Sequence, residues 1–170
     1  MAKISKQIMA WTTPEGYLDL HKFPIEPCLR QSLEGDPSRF RPGVMLLQSM
    51  MSSGRLEAGI YLLGLMRYYA EDLERLKTVV EALGSFHCRQ AASVLISEFY
   101  RIESSNRTRG YLNEVLKALG RFPRALVEDP LMGLAGDKKF SYRMRRKFEE
   151  MAWQLQERDE RYRANVNRPG

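Results

Sequence analysis

The sequence predicts an all-α fold, on three observations. No proline falls between Gly43 and Pro123, so nothing there interrupts helical hydrogen bonding. From Val44 onward apolar residues recur at spacings of three and four, while no stretch alternates as a strand would. Two segments 36 residues apart also match: Val79-Val80-Glu81-Ala82-Leu83-Gly84-Ser85-Phe86 and Val115-Leu116-Lys117-Ala118-Leu119-Gly120-Arg121-Phe122.

Residues 1–43 are predicted to form an extended arm, because prolines at 14, 24, 27, 37 and 42 disfavour helix. The arm still carries Trp11, Tyr17, Leu18, Leu20, Phe23, Ile25 and Leu29, so it is expected to pack on the body or on a partner. A short helix over 44–52 stops at Ser52-Ser53-Gly54. The next runs from Arg55 to Tyr69, and its uncharged centre, Ala58 to Met66, predicts an interior helix covered on both sides. Asp72 caps a helix with the stripe Leu73, Leu76, Val79, Val80 and Leu83, which Gly84 closes. Arg89 to Arg101 follows, then a loop over 103–106. The stripe Tyr111, Leu112, Val115, Leu116 and Leu119 is closed by Gly120. A shorter helix around Leu126 to Leu134 is expected to be disturbed by Pro130. Ser141 caps a long helix whose seam is Met144, Phe148, Met151 and Leu155. The helical body thus spans 44–157, and 158–170 is expected to be a flexible basic tail.

Composition narrows the function. The chain has 170 residues, 44% apolar and 28% charged, which is globular rather than disordered. Two cysteines, Cys28 and Cys88, exclude a disulfide framework and a four-cysteine zinc site. Lys3 and Lys6 precede an apolar stretch, Ile8 to Trp11, too short for an export signal, so a reducing, cytoplasmic setting is expected. The longest uncharged apolar run is too short to span a bilayer. The net charge of +6 arises in residues 101–170, which hold sixteen Lys and Arg against ten Asp and Glu. An acidic partner for that end, or plain solubility, accounts for the surplus.

A small residue, leucine and glycine at a helix end, then a second helix, an acidic turn and an arginine-bearing helix resembles the short HEAT-like repeat of about thirty residues per helix pair. Residues 55–85, 87–121 and 122–155 would be the repeats. The resemblance implies a short α-solenoid of about three helix pairs, with 44–52 as a half-repeat and the arm as a cap. It also implies that Arg143 pairs with the acidic turn at Asp137. Stacking of pairs that cannot bury both faces alone supports this reading. An ordinary bundle of five to seven helices fits the same periodicities.

Catalytic patterns are missing from the sequence. It has no phosphate-binding glycine loop, no His-Glu-x-x-His and no Gly-x-Ser-x-Gly. His87 and Cys88 are neighbours, but adjacent residues at a helix start diverge. No cofactor, metal or small-molecule substrate is predicted. The feature above background is basic: Lys138, Lys139, Arg143, Arg145, Arg146 and Lys147 fall within ten residues, with Arg107 and Arg109 one repeat earlier. Tyr142 and Trp153 fall near Arg146 at 100° per residue, opposite the apolar seam. All of these except Arg143, nine residues in total, are the candidate macromolecule-binding surface. Aromatics and arginine anchor protein partners, and the same set with neighbouring cations suits nucleic acid. The expected function is a non-enzymatic protein-binding adaptor, scaffold or assembly subunit, with nucleic-acid binding as the alternative. Enzymatic readings, a bilin-lyase or alkylpurine-glycosylase activity of the HEAT-like kind, come third.

Overall fold

Where the sequence predicts a proline-broken arm, the structure places two helices, because the prolines sit where a helix tolerates them. In this computed structural model, which describes residues 10–166, α1 (Ile25–Leu33) has Pro24 at its N-cap and Pro27 in its first turn. The backbone N–H that proline lacks has no helical partner at those positions. α2 (Pro37–Ser52) begins with Pro37, and the Asp36 carboxylate accepts from the Ser38 N–H at 2.9 Å. Only Pro42 lies inside, and its helix continues through it. Among the described residues the extended-arm expectation therefore holds only over 10–23. There the chain reverses at Gly16 (φ 90°), bridges Thr12 to Leu18, and sets the Trp11 ring edge-on to Phe23 at 6.0 Å. Arg55 fastens this segment by donating to the Leu20 and Phe23 carbonyls.

Six more helices follow among the described residues: α3 (Leu56–Tyr68), α4 (Leu73–Leu83), α5 (Arg89–Arg101), α6 (Arg109–Leu119), α7 (Arg124–Gly136) and α8 (Tyr142–Val166). The described chain is all-helical and contains no strand. No helix among those residues is long and apolar enough to cross a membrane. The chain divides into two units, residues 1–65 and 66–170.

In the first unit α1 packs on α2. Their approach is set by Gly43, where a Cβ would lie 2.8 Å from the Ser32 backbone nitrogen and 2.9 Å from the Cys28 carbonyl. The Ser32 hydroxyl donates to that same carbonyl at 2.8 Å. α3 departs from the expectation of an interior helix. Ala58, Leu62 and Leu65 are buried, but Leu56 and Ile60 are 63% and 64% exposed. An uncharged sequence records what a helix lacks, not how many neighbours cover it.

In the second unit α6 lies against α4 and α5, and α7 against α5 and α8. The repeated segment forms a repeated joint. Gly84 and Gly120 end α4 and α6 with nearly the same backbone angles, φ −57° and −61°, ψ −14° and −16°. These angles are right-handed, so the glycines do not serve as left-handed stops. They serve close packing: a Cβ on Gly84 would sit 3.2 Å from Arg121 Cδ, and one on Gly120 2.9 Å from Met151 Sδ. Each helix end then receives an arginine from later in the chain. Arg121 donates to the Glu81 carbonyl at 3.1 Å. Arg158 donates to the Gly120 and Phe122 carbonyls, both at 2.7 Å. The last carbonyls of a helix lack helical partners and carry partial negative charge, so the guanidinium satisfies both needs.

Two further differences concern α7 and α8. Pro130 lies within α7 without ending it. Residues 158–166 continue α8 rather than fraying, since Arg158 holds them to α6 and Arg161 pairs with Glu157 at 3.1 Å. The rest of the predicted tail, 167–170, lies outside the described residues, as do Lys3, Lys6 and Ile8.

One buried polar cluster ties this unit together. Glu98 on α5, 6% exposed, binds the Arg101 guanidinium through both oxygens and accepts the Tyr111 hydroxyl of α6 at 2.5 Å. Arg101 also donates to the Ala70 carbonyl at 2.8 Å. Burial, and then the Glu98 carboxylate, push the Tyr111 phenol far above its ordinary value. The folded state therefore keeps a proton that the unfolded chain releases near pH 10, and stability falls as pH rises beyond that point. Tyr111→Phe is expected to lose about 1–3 kcal/mol at neutral pH and to show a shallower alkaline decline, checked by urea unfolding between pH 7 and 11. The same assay separates two glycines. Gly43→Ala destabilises by about 1–3 kcal/mol through its backbone clash. Gly64→Ala, in mid-α3 with open space around its Cβ, stabilises by about 0.4–1 kcal/mol.

Candidate functional site

The rotation of α8 decides which of its side chains face outward. The Ser141 hydroxyl accepts from the Met144 N–H at 3.3 Å and starts the helix. Met144, Phe148, Ala152 and Leu155 are buried, matching the predicted seam, with Met151 half-buried beside them. The Phe148 ring is fixed by edge contacts to Phe99 at 4.8 Å and Phe140 at 5.4 Å. With that stripe inward, 100° per residue sends the remaining side chains to two separate flanks.

One flank faces α6. Arg143 and Lys147 line a cavity of about 100 Å³ together with Arg109. Lys147 donates to Asn113 Oδ1 at 2.8 Å, and Arg109 to Asn106 Oδ1 at 2.9 Å. An adjoining cleft of about 510 Å³ is lined by Tyr100, Lys139 and Phe140 among others. The Lys139 ammonium stands 5.4 Å from the Tyr100 ring centre.

The other flank faces away. Tyr142 is 70% exposed and Trp153 60%. Arg146 lies between them along the helix and pairs with Glu150 at 3.3 Å. Tyr142, Arg145 and Arg146 share a shallow cleft of about 270 Å³ with Met132 of α7. Arg146 and Trp153 share a second, of about 430 Å³. Arg145 Nε is buried without a hydrogen-bond partner.

The nine predicted residues are thus not one stripe. Arg109, Lys139 and Lys147 gather on the α6 side, and Tyr142, Arg145, Arg146 and Trp153 on the outer side. Arg107 and Lys138 stand exposed in the turns before α6 and α8. Arg143 belongs to the basic run, and the HEAT-like resemblance implies its pairing with Asp137; the Asp137 carboxylate instead accepts the Lys139 N–H at 2.9 Å, and Arg143 opens onto the cavity. Its place in the basic run, one turn before Lys147, was legible in the sequence. Asn113 gave none.

The histidine and cysteine neighbours diverge as expected. The His87 ring reaches the Gly84 carbonyl at 3.2 Å and the Phe122 ring at 5.4 Å. The Cys88 sulfur instead accepts from the Ala91 N–H at 3.4 Å as the cap of α5. Among the described residues no group of three or more His, Cys, Asp or Glu side chains converges as a metal site would require.

Comparison with protein-family models, curated proteins and solved structures found no match to this chain.

With Trp11 replaced by Phe, fluorescence reports Trp153 alone. Emission typical of solvated indole, readily quenched by acrylamide, is expected; blue-shifted, protected emission would contradict the outward flank.

Proposed function

We propose that this protein is a non-enzymatic adaptor or assembly subunit that binds another protein through the outer flank of α8. The observation that carries this reading is the exposure of Tyr142 and Trp153 on one side of a well-anchored helix, with Arg146 between them. Isolated exposed apolar residues are ordinary, but Trp, Tyr and Arg together are the side chains that dominate protein interfaces. Met132, half exposed in the adjoining cleft, adds an adaptable apolar contact. Because α8 is fixed by its seam and by Arg158, little freedom is lost on docking.

The HEAT-like resemblance belongs to the same reading. The neighbour pattern, α4 with α6 and α5 with α7, accords with stacked helix pairs, as does the joint repeated at Gly84 and Gly120. A cytoplasmic setting is part of the proposal and suits two free thiols, Cys28 and Cys88. Nucleic-acid binding is the competing reading, favoured by the cations on the α6 side.

The test is a reconstituted complex. A partner that co-elutes stoichiometrically from native extract is produced separately and titrated against the full chain. Tyr142→Ala and Trp153→Ala are each expected to weaken it at least tenfold, about 1.4 kcal/mol, with helicity unchanged. The reading fails if both variants bind as the parent does. It also fails if the only ligand recovered is RNA or DNA whose log affinity falls steeply with log salt.

A further inference from the structure

α6 and α8 begin with cations where a helix favours anions. The peptide dipoles leave partial positive charge at a helix N-terminus, which carboxylates relieve and cations aggravate. Neither helix has an acid in its first turn. Arg109 is instead the first residue of α6, Arg143 the second of α8, and Lys147 follows one turn later. All three line the same cavity of about 100 Å³, and no carboxylate lines it with them. Arg143 and Lys147 are also four apart on one helix, a spacing at which like charges repel.

The neighbours orient two of these cations without neutralising them. Asn113 and Asn106 accept from Lys147 and Arg109 as uncharged amides. The Arg143 side chain has neither a hydrogen bond nor an ion pair to any described residue. The Ser141 hydroxyl keeps its own proton to donate after accepting the Met144 N–H, and Ser104 supplies a second hydroxyl. Beneath them lie the buried side chains of Leu112 and Met144. Three positive groups, two of them held by amides and the third without a partner, and two hydroxyls around a space of this size match a tetrahedral oxyanion. Ser104, Leu112, Ser141 and Met144 also line the adjoining cleft of about 510 Å³, whose walls carry the Tyr100 and Phe140 rings alongside Arg101, Lys139 and Glu103.

We propose that this cavity binds the phosphate of a small organic phosphate monoester, whose apolar body lies in the adjoining cleft along Tyr100 and Phe140. The ligand supplies the negative charge that the two helix starts lack. The site is distinct from the outer flank of α8 and does not depend on the protein-binding reading.

The test uses the full chain with inorganic phosphate, phenyl phosphate and benzyl alcohol as probes, followed by calorimetry and by thermal unfolding. Phenyl phosphate is expected to bind saturably, about tenfold tighter than inorganic phosphate, and to raise Tm; benzyl alcohol should not bind measurably. The double variant Arg143→Gln/Lys147→Gln should lose the response while unfolding, without ligand, at or above the parent's Tm, because repulsion has been removed. Arg146→Gln, on the opposite flank, should respond as the parent does. The proposal is overturned if phenyl phosphate binds no tighter than inorganic phosphate, if the double variant retains binding, or if its unliganded Tm falls. It is likewise overturned if Arg146→Gln loses binding equally, or if a short single-stranded oligonucleotide saturates the site at lower concentration than phenyl phosphate.

Discussion

The second unit depends on a constraint at the ends of α4 and α6. A helix leaves its last carbonyls without helical partners, and a donor from a later element can both pair them and hold that element in place. Here the donor is an arginine from later in the chain, Arg121 for α4 and Arg158 for α6. Glycine at each end leaves room for the incoming side chain or its neighbour to sit at contact distance. The joint does two things at once. It gives the helix-end carbonyls charged donors, and it fixes the spacing between successive elements.

The two faces of α8 follow from that constraint. Met151 against Gly120 and Arg158 on the α6 carbonyls hold the helix along α6, and Phe148 among Phe99 and Phe140 sets its rotation. Arg143 and Lys147 are then brought beside Arg109, while Tyr142 and Trp153 are turned to solvent. A cationic run that reads as one patch along the chain becomes two surfaces of different character. One is concave and charged without local compensation. The other is aromatic, with its central arginine already paired to Glu150. The Glu98, Arg101 and Tyr111 cluster supports both by locking α5 to α6 and to the Ala70 carbonyl.

The sequence makes the all-α class legible, together with the seam of α8, the Asp72 and Ser141 caps and the 36-residue match. Each is a local pattern whose cause lies within one or two helical turns. It obscures α1 and the start of α2, because Pro24, Pro27 and Pro37 read as breakers unless the helix start is already placed. It misjudges α3, since the absence of charge on Ala58 to Met66 says nothing about how much surface is available to cover it. Gly84 and Gly120 close their helices as the sequence predicts, but the close approach that each makes depends on Arg121 and Met151, not on residues nearby in sequence. The division of the basic cluster into two flanks escapes the sequence for the same cause, because it turns on the rotation of α8 against distant aromatic rings.

Native-state hydrogen exchange on the parent and on Arg158→Gln tests the repeated joint most directly. The account predicts that in the parent the amides of α8 from Leu155 to Tyr162 are protected. In the variant they and the last turn of α6 should lose protection together while α4 keeps its own. Free exchange beyond Leu155 in the parent, or a variant that leaves the end of α6 unchanged, would contradict it.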